Sequence, residues 1–141
     1  MKALGKHLIL ELYGCPSDHL DDLDHVARVL TEAVEDAGAT LIKPFFHRFA
    51  PQGVSGVAVI AESHFSIHTW PEYAYAAVDM FTCGDCLDLD RAFETIRTGL
   101  AARQVQKMEI GRGMLDVPVE ELKHKPSAQP AKGLRRICRA S

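Results

Sequence analysis

Between Val54 and Thr82 three apolar-rich runs, residues 54–61, 64–70 and 73–82, follow one another with only two-residue links, Glu62-Ser63 and Pro71-Glu72. A parallel partner strand needs a crossover of about a dozen residues or more, so such short links fold each run back antiparallel on its predecessor. The middle run, His64-Phe65-Ser66-Ile67-His68-Thr69-Trp70, alternates. A strand's period of two puts Phe65 and Ile67 on one face and His64, Ser66 and His68 on the other. A sheet with one apolar and one polar face needs a cover on the apolar side.

That cover is available. After a first strand over residues 7–13, closed by Gly14 and Pro16, the spacing of Leu20, Leu23, Ala27, Leu30 and Val34 predicts one amphipathic helix. Ser17 or Asp18 would cap its start, and Gly38 would stop it. A second strand spans residues 40–49 and is edge-like at Pro44, and the cluster Pro51-Gln52-Gly53 makes a turn. A second helix begins near Asp88 or Asp90, with Leu89, Phe93, Ile96 and Leu100 at helical spacing, and residues 105–110 form a last strand. The predicted class is α+β: a two-layer sandwich of an antiparallel sheet with two helices packed on one face.

Length and composition restrict the function classes. The chain has 141 residues, the size of one domain, with 47% hydrophobic and 25% charged residues. A formal charge of −3 gives no sign of a nucleic-acid binder, and no stretch approaches the ~20 apolar residues that span a bilayer. A cytosolic protein that engages neither nucleic acid nor membrane is expected. Residues 1–118 read as a single domain. Residues 119–141, with Lys123, His124, Lys125, Lys132, Arg135, Arg136 and Arg139 among Pro, Ala and Ser, read as a flexible basic tail. Cys15, Cys83, Cys86 and Cys138 are too few for a disulfide framework and read as reduced thiols.

Chemistry-bearing groups crowd between His47 and Asp85. His64 and His68 share a strand face, so with His47 or Glu62 they could ligate a metal, or they are ordinary surface histidines. Cys83-Gly84-Asp85-Cys86 is a C-x-x-C near a strand-to-helix junction, where it reads either as a redox pair or as chance. The dipeptide Glu62-Ser63 reads either as a polar strand end or as a scissile bond served by His68 and Cys83 as acid and base groups.

The continuous string HRFAPQGVSGVAVIAESHFSIHTWPEYAYAAVDMFTCGD, residues 47–85, resembles the bacterial and archaeal S-adenosylmethionine decarboxylase proenzymes. The resemblance extends to KALGKHLILELYGC and the helix after it, about residues 2–112 in all. It implies that the hydroxyl of Ser63 attacks the carbonyl of Glu62, converting an amide into an ester. Elimination and loss of ammonia would then leave a pyruvoyl group derived from Ser63, with a β chain of residues 1–62 and an α chain of residues 63–141. No metal is implied. The pyruvoyl group would form a Schiff base with the substrate, as pyridoxal phosphate does.

The resemblance also assigns roles. His68 is the proton acceptor in processing, Ser55 supports it, and Cys83 donates the proton to the product's α-carbon. Phe49, with His68 nearby, stacks on the adenine, and Glu72 holds the ribose hydroxyls. Homodimers or larger assemblies are implied, with Ser63 and Cys83 from one chain and Phe49, Ser55, His68 and Glu72 from the other. The implied activity is decarboxylation of S-adenosylmethionine to the aminopropyl donor of spermidine and polyamine biosynthesis. Arginine or ornithine decarboxylation on the same scaffold is the competing activity, and a non-cleaving small-molecule binding module is the competing class. Cys86 is an extra thiol close enough in sequence to Cys83 to form an inactivating disulfide.

Overall fold

The computed structural model describes residues 3–83 and 85–121. Six strands form one antiparallel sheet in the order β2-β3-β4-β5-β1-β6, where β1 is Ala3–Tyr13, β2 Leu41–Arg48, β3 Val54–Ile60, β4 Ser63–Trp70, β5 Tyr75–Cys83 and β6 Gln104–Met114. The expected succession from β2 to β5 is present. β1 slots between β5 and β6. β2 is an outer strand with its register shifted between Leu41 and Lys43, next to Pro44, which cannot donate to a ladder.

The predicted first helix is two helices. α1 is Ser17–Asp21 and α2 is Leu23–Asp36, because Asp22 leaves helical geometry (ψ 105°) and caps α2 by accepting from the backbone N–H of His25 at 3.0 Å. Gly38 does end α2: with φ 75° it closes a Schellman turn in which the Gly38 and Ala39 N–H groups donate to Glu35 and Val34 carbonyls. α3, Leu89–Gly99, is capped by the Asp88 carboxylate on the Arg91 N–H at 3.0 Å.

α2 and α3 lie on the same face of the sheet. Val26, Val29, Leu30, Ala33 and Val34 of α2 and Ala92 and Ile96 of α3 are buried against Leu8, Leu10, Leu12, Ala58, Phe65, Ile67, Val78 and Met80. The two helices meet closely at Gly99, where an added Cβ would fall 2.7 Å from a Val29 methyl. Thr69 is buried but satisfied: it accepts from the Val54 N–H and donates to the Leu20 carbonyl, tying α1 to the sheet.

Among the described residues no helix covers the other sheet face. Its cross-strand rows run Lys43, Val59, His64, Phe81, His7 and Ile110; then Phe45, Val57, Ser66, Asp79, Ile9 and Met108; then His47, Ser55, His68, Ala77, Glu11 and Gln106. Phe45 is 63% and Met108 59% exposed. Among the described residues no helix is long and apolar enough to cross a membrane. Val119–Glu121, the start of the expected tail, make a short 3-10 turn, and residues 122–141 lie outside the described residues.

Candidate active site

The expected site residues fall into two groups. The first gathers at the hairpin between β3 and β4. Ala61 and Glu62 are its turn, pinned by the Ala61 N–H on the Thr40 carbonyl at 2.9 Å and by the Glu62 carboxylate accepting from the Thr40 N–H at 3.3 Å. Ser63 opens β4 and pairs with Thr82. The carbonyl of Glu62 accepts a hydrogen bond from the backbone N–H of Cys83 at 3.0 Å, so the end of β5 is fastened to the Glu62-Ser63 peptide. Cys83 is half-buried.

Beside Ser63 stands a cluster in which sequence reasoning had weighed a role for His64 alone, as a metal ligand. The Ser63 hydroxyl lies 3.4 Å from His64 Nδ1, His64 Nε2 lies 3.1 Å from Asp79 Oδ2, and His7 Nε2 approaches the same oxygen at 2.8 Å. Ser66 donates to the other carboxylate oxygen of Asp79. Burial acts to raise the pKa of Asp79, but the hydrogen bonds from Ser66, His7 and His64 outweigh it and hold the carboxyl below its ordinary range. An ionised carboxylate only accepts, so both imidazoles donate through Nε2.

The donor atoms of His7, His64 and Asp79 lie within 4.8 Å of one another, the spacing of a metal site. Their hydrogen bonds argue for a proton network instead. Arg112 Nη1 lies 3.3 Å from His7 Nδ1, and a guanidinium only donates. Nδ1 is therefore an acceptor, and Nε2 carries the ring's one proton. The metal set considered from sequence is not assembled: His64 joins His7 and Asp79, while His68 belongs elsewhere.

The second group sits toward the other end of β4. Ser55 and His68 face each other across β3 and β4, with Ser55 Oγ 2.7 Å from His68 Nδ1. His47 pairs with Ser55, and Phe49 meets the His47 ring edge-on at 4.7 Å between centroids. Glu72 accepts from the Gln52 side-chain amide at 3.1 Å, which joins its turn to the loop that follows Phe49. α1 anchors both loops. Asp21 accepts from the Gly53 N–H at 3.0 Å and from Arg48 at 2.7 Å, and the Ser17 hydroxyl donates to the Pro71 carbonyl at 2.6 Å. The Gly53 N–H first, and Arg48 second, hold the Asp21 carboxyl below its ordinary pKa. Next to His68, Trp70, Tyr75 and Tyr13 stack at 5.3 and 5.4 Å, and burial, with Glu11 accepting from its hydroxyl, pushes the Tyr75 phenol up to about 12.

Five residue steps separate Ser63 from His68 along β4, about 16 Å at strand rise. A single chain therefore holds the two groups apart. Cys86 is exposed in the loop after β5, and α3 starts only at Leu89, so the C-x-x-C does not open that helix as a thioredoxin-like pair would.

A sequence model of the S-adenosylmethionine decarboxylase family matches residues 6–113. The S-adenosylmethionine decarboxylase proenzyme of Methanococcus vannielii is 52% identical over 117 residues, covering 83% of this chain and 96% of the relative. That of Thermotoga maritima is 48% identical over 116 residues, covering 82% and 89%. The crystal structure of the adenosylmethionine decarboxylase from Aquifex aeolicus superposes with a TM-score of 0.77 at 39% identity, covering 82% of this chain and 96% of that one. Family match, identity and fold agree across the span that carries both groups of residues, and the chain belongs to the S-adenosylmethionine decarboxylase family.

Proposed function

We propose that the chain is a proenzyme that breaks its own backbone between Glu62 and Ser63, acquires a pyruvoyl group from Ser63, and then decarboxylates S-adenosylmethionine to the aminopropyl donor used in polyamine synthesis. The observation that carries this reading is the state of the scissile peptide. Attack by a hydroxyl puts negative charge on the Glu62 carbonyl oxygen, and the Cys83 N–H already points at that oxygen from 3.0 Å. The turn holds the peptide in place from both sides, so little reorganisation precedes reaction.

These residues fit a pyruvoyl group at the new N-terminus, where its carbonyl supplies an electron sink for an amino-acid substrate. The chain's own groups do the rest. Cys83, at the same strand end, returns a proton to the substrate's α-carbon. Phe49 offers an exposed ring to a purine, Glu72 a carboxylate to ribose hydroxyls, and His68, backed by Ser55, a base for processing and a ring for the substrate.

The distance between the two groups supports a homodimer in which each site is shared. Stacking two copies through these sheet faces, with the β4 strands running oppositely, would set Ser63 and Cys83 of one chain against Phe49, Ser55, His68 and Glu72 of the other. Phe45, Val59, Met108 and Ile110, all more than 40% exposed on that face, provide apolar area for such a contact. Release of carbon dioxide from S-adenosylmethionine, arginine and ornithine tests the substrate: turnover of the first is expected, and preference for either of the others contradicts the reading.

A further inference from the structure

Resting on the self-cleavage proposed above, we propose that His64, oriented by Asp79, is the catalytic base that activates the Ser63 hydroxyl for attack on Glu62. A serine hydroxyl is a weak nucleophile until a neighbour removes its proton. Within the chain His68 lies about 16 Å along the strand and is engaged by Ser55, whereas His64 is adjacent. Its tautomer suits the task. Because Nε2–H donates to Asp79 at 3.1 Å, Nδ1 keeps its lone pair, and Nδ1 is the atom 3.4 Å from Ser63 Oγ. That spacing is a few tenths of an ångström longer than a working hydrogen bond, as resting sites often show.

The step balances. The Ser63 O–H bond breaks, its proton passes to His64 Nδ1, and Oγ bonds to the Glu62 carbonyl carbon while the Cys83 N–H holds the developing oxyanion. The C–N bond then breaks, and the same proton passes from His64 to the departing Ser63 nitrogen. The product is an ester with a free amine, and no co-reactant is needed. Asp79 is a positioning residue: it fixes the imidazole's tautomer and plane and is itself held by Ser66 and by His7, which Arg112 steadies from β6. His68 of the partner subunit is left for the later removal of the Ser63 α-proton. The two histidines thus serve different steps of maturation.

Hydroxylamine separates those steps, since it cuts esters and leaves amides intact. Freshly synthesised full-length chain is followed by denaturing electrophoresis with and without hydroxylamine at neutral pH. His64→Ala is expected to cleave ~100-fold or more slower than the natural chain, the usual scale for a lost general base, and hydroxylamine does not restore it because no ester has formed. His68→Ala should instead accumulate the ester and be cut promptly by hydroxylamine. If His64→Ala melts below an uncleaved Ser63→Ala reference, His64→Gln gives the same reading, because it keeps the side chain's bulk and polarity but its amide is no base. Asp79→Asn should slow the same hydroxylamine-insensitive step, while the fraction that matures keeps its KM for substrate. Prompt hydroxylamine cutting of both His64 variants, or cleavage of Asp79→Asn at the natural rate, overturns the assignment. A natural chain that never cleaves overturns the proposed self-processing instead.

Discussion

The backbone N–H of Cys83 donates to the carbonyl of Glu62 at 3.0 Å, so the contact made by the residue expected to protonate the product does not involve its thiol. The two duties proposed for Cys83 are therefore separable by mutation. Cys83→Ala keeps the N–H and should cleave within a few-fold of the natural rate, yet lose ~100-fold or more in kcat, the scale of a removed general acid. Ser63→Ala should lose both cleavage and decarboxylation. Electrophoresis and carbon dioxide release on the two variants check this, and a Cys83→Ala chain that decarboxylates at full rate refutes the thiol's role.

The proposed cleavage after Glu62 would cut the sheet into interleaved halves. The first piece keeps β1, β2 and β3, the second β4, β5 and β6, and β1 remains paired between β5 and β6 while β3 remains paired with β4. Separating the pieces would expose the common core. The matured protein should run as one species in gel filtration and as two bands only after denaturation; fragments that part in native buffer contradict the described topology.

A site shared between chains predicts complementation. Ser63→Ala and His68→Ala should each be inactive alone, but a mixed dimer should restore one complete site, formed by Ser63 of the His68→Ala chain and His68 of the Ser63→Ala chain. Co-expression should give about a quarter of natural activity if chains pair at random in two-fold dimers. No activity in a verified mixed dimer would show that each site belongs to one chain.

Asp79 sets an acid dependence. Its carboxyl is held below the ordinary value of 3.8 in the folded chain, so folding is favoured by its ionisation at pH above that value, and the contribution fades as pH falls through and below it. In the uncleaved Ser63→Ala background, urea midpoints at pH 7 should be lower for Asp79→Asn than for Asp79, and the gap should narrow as pH falls below 3.8. An unchanged gap at both pH values contradicts the ion's part in the network.

Burial pushes the Cys15 thiol up to about 11, and its side chain is 1% exposed. Native alkylation at pH 8 should leave Cys15 unmodified, with full labelling only after unfolding. Rapid labelling of Cys15 in the folded chain would show that the β1 to α1 corner opens.

Local signals carried much of the fold into view. The alternation from His64 to Trp70 placed the right side chains on each face, Gly38 stopped α2 where a left-handed residue was needed, and short links set β2 to β5 side by side. Two features escaped, one because its local signal is ambiguous and the other because it depends on a contact distant in sequence. Asp22 splits the helix because its carboxylate caps a second start, and an aspartate on an amphipathic repeat reads equally well as a solvated face. His7 and Asp79 meet only once β1 inserts beside β5 in a register that pairs His7 with Phe81 and Ile9 with Asp79. The polar parity of His7, Ile9 and Glu11 in β1 could have flagged that face, though not its partner. The proposed two-part site came from the resemblance alone, and the spacing along β4 gives a physical reason for it.

Mass spectrometry of the purified, denatured protein tests the central claim most directly. Two chains ending at Glu62 and beginning at position 63 are predicted, the second lighter by one ammonia than a peptide starting with serine, as a pyruvoyl terminus requires. A single intact chain, or a second fragment that begins with unmodified Ser63, would contradict the account.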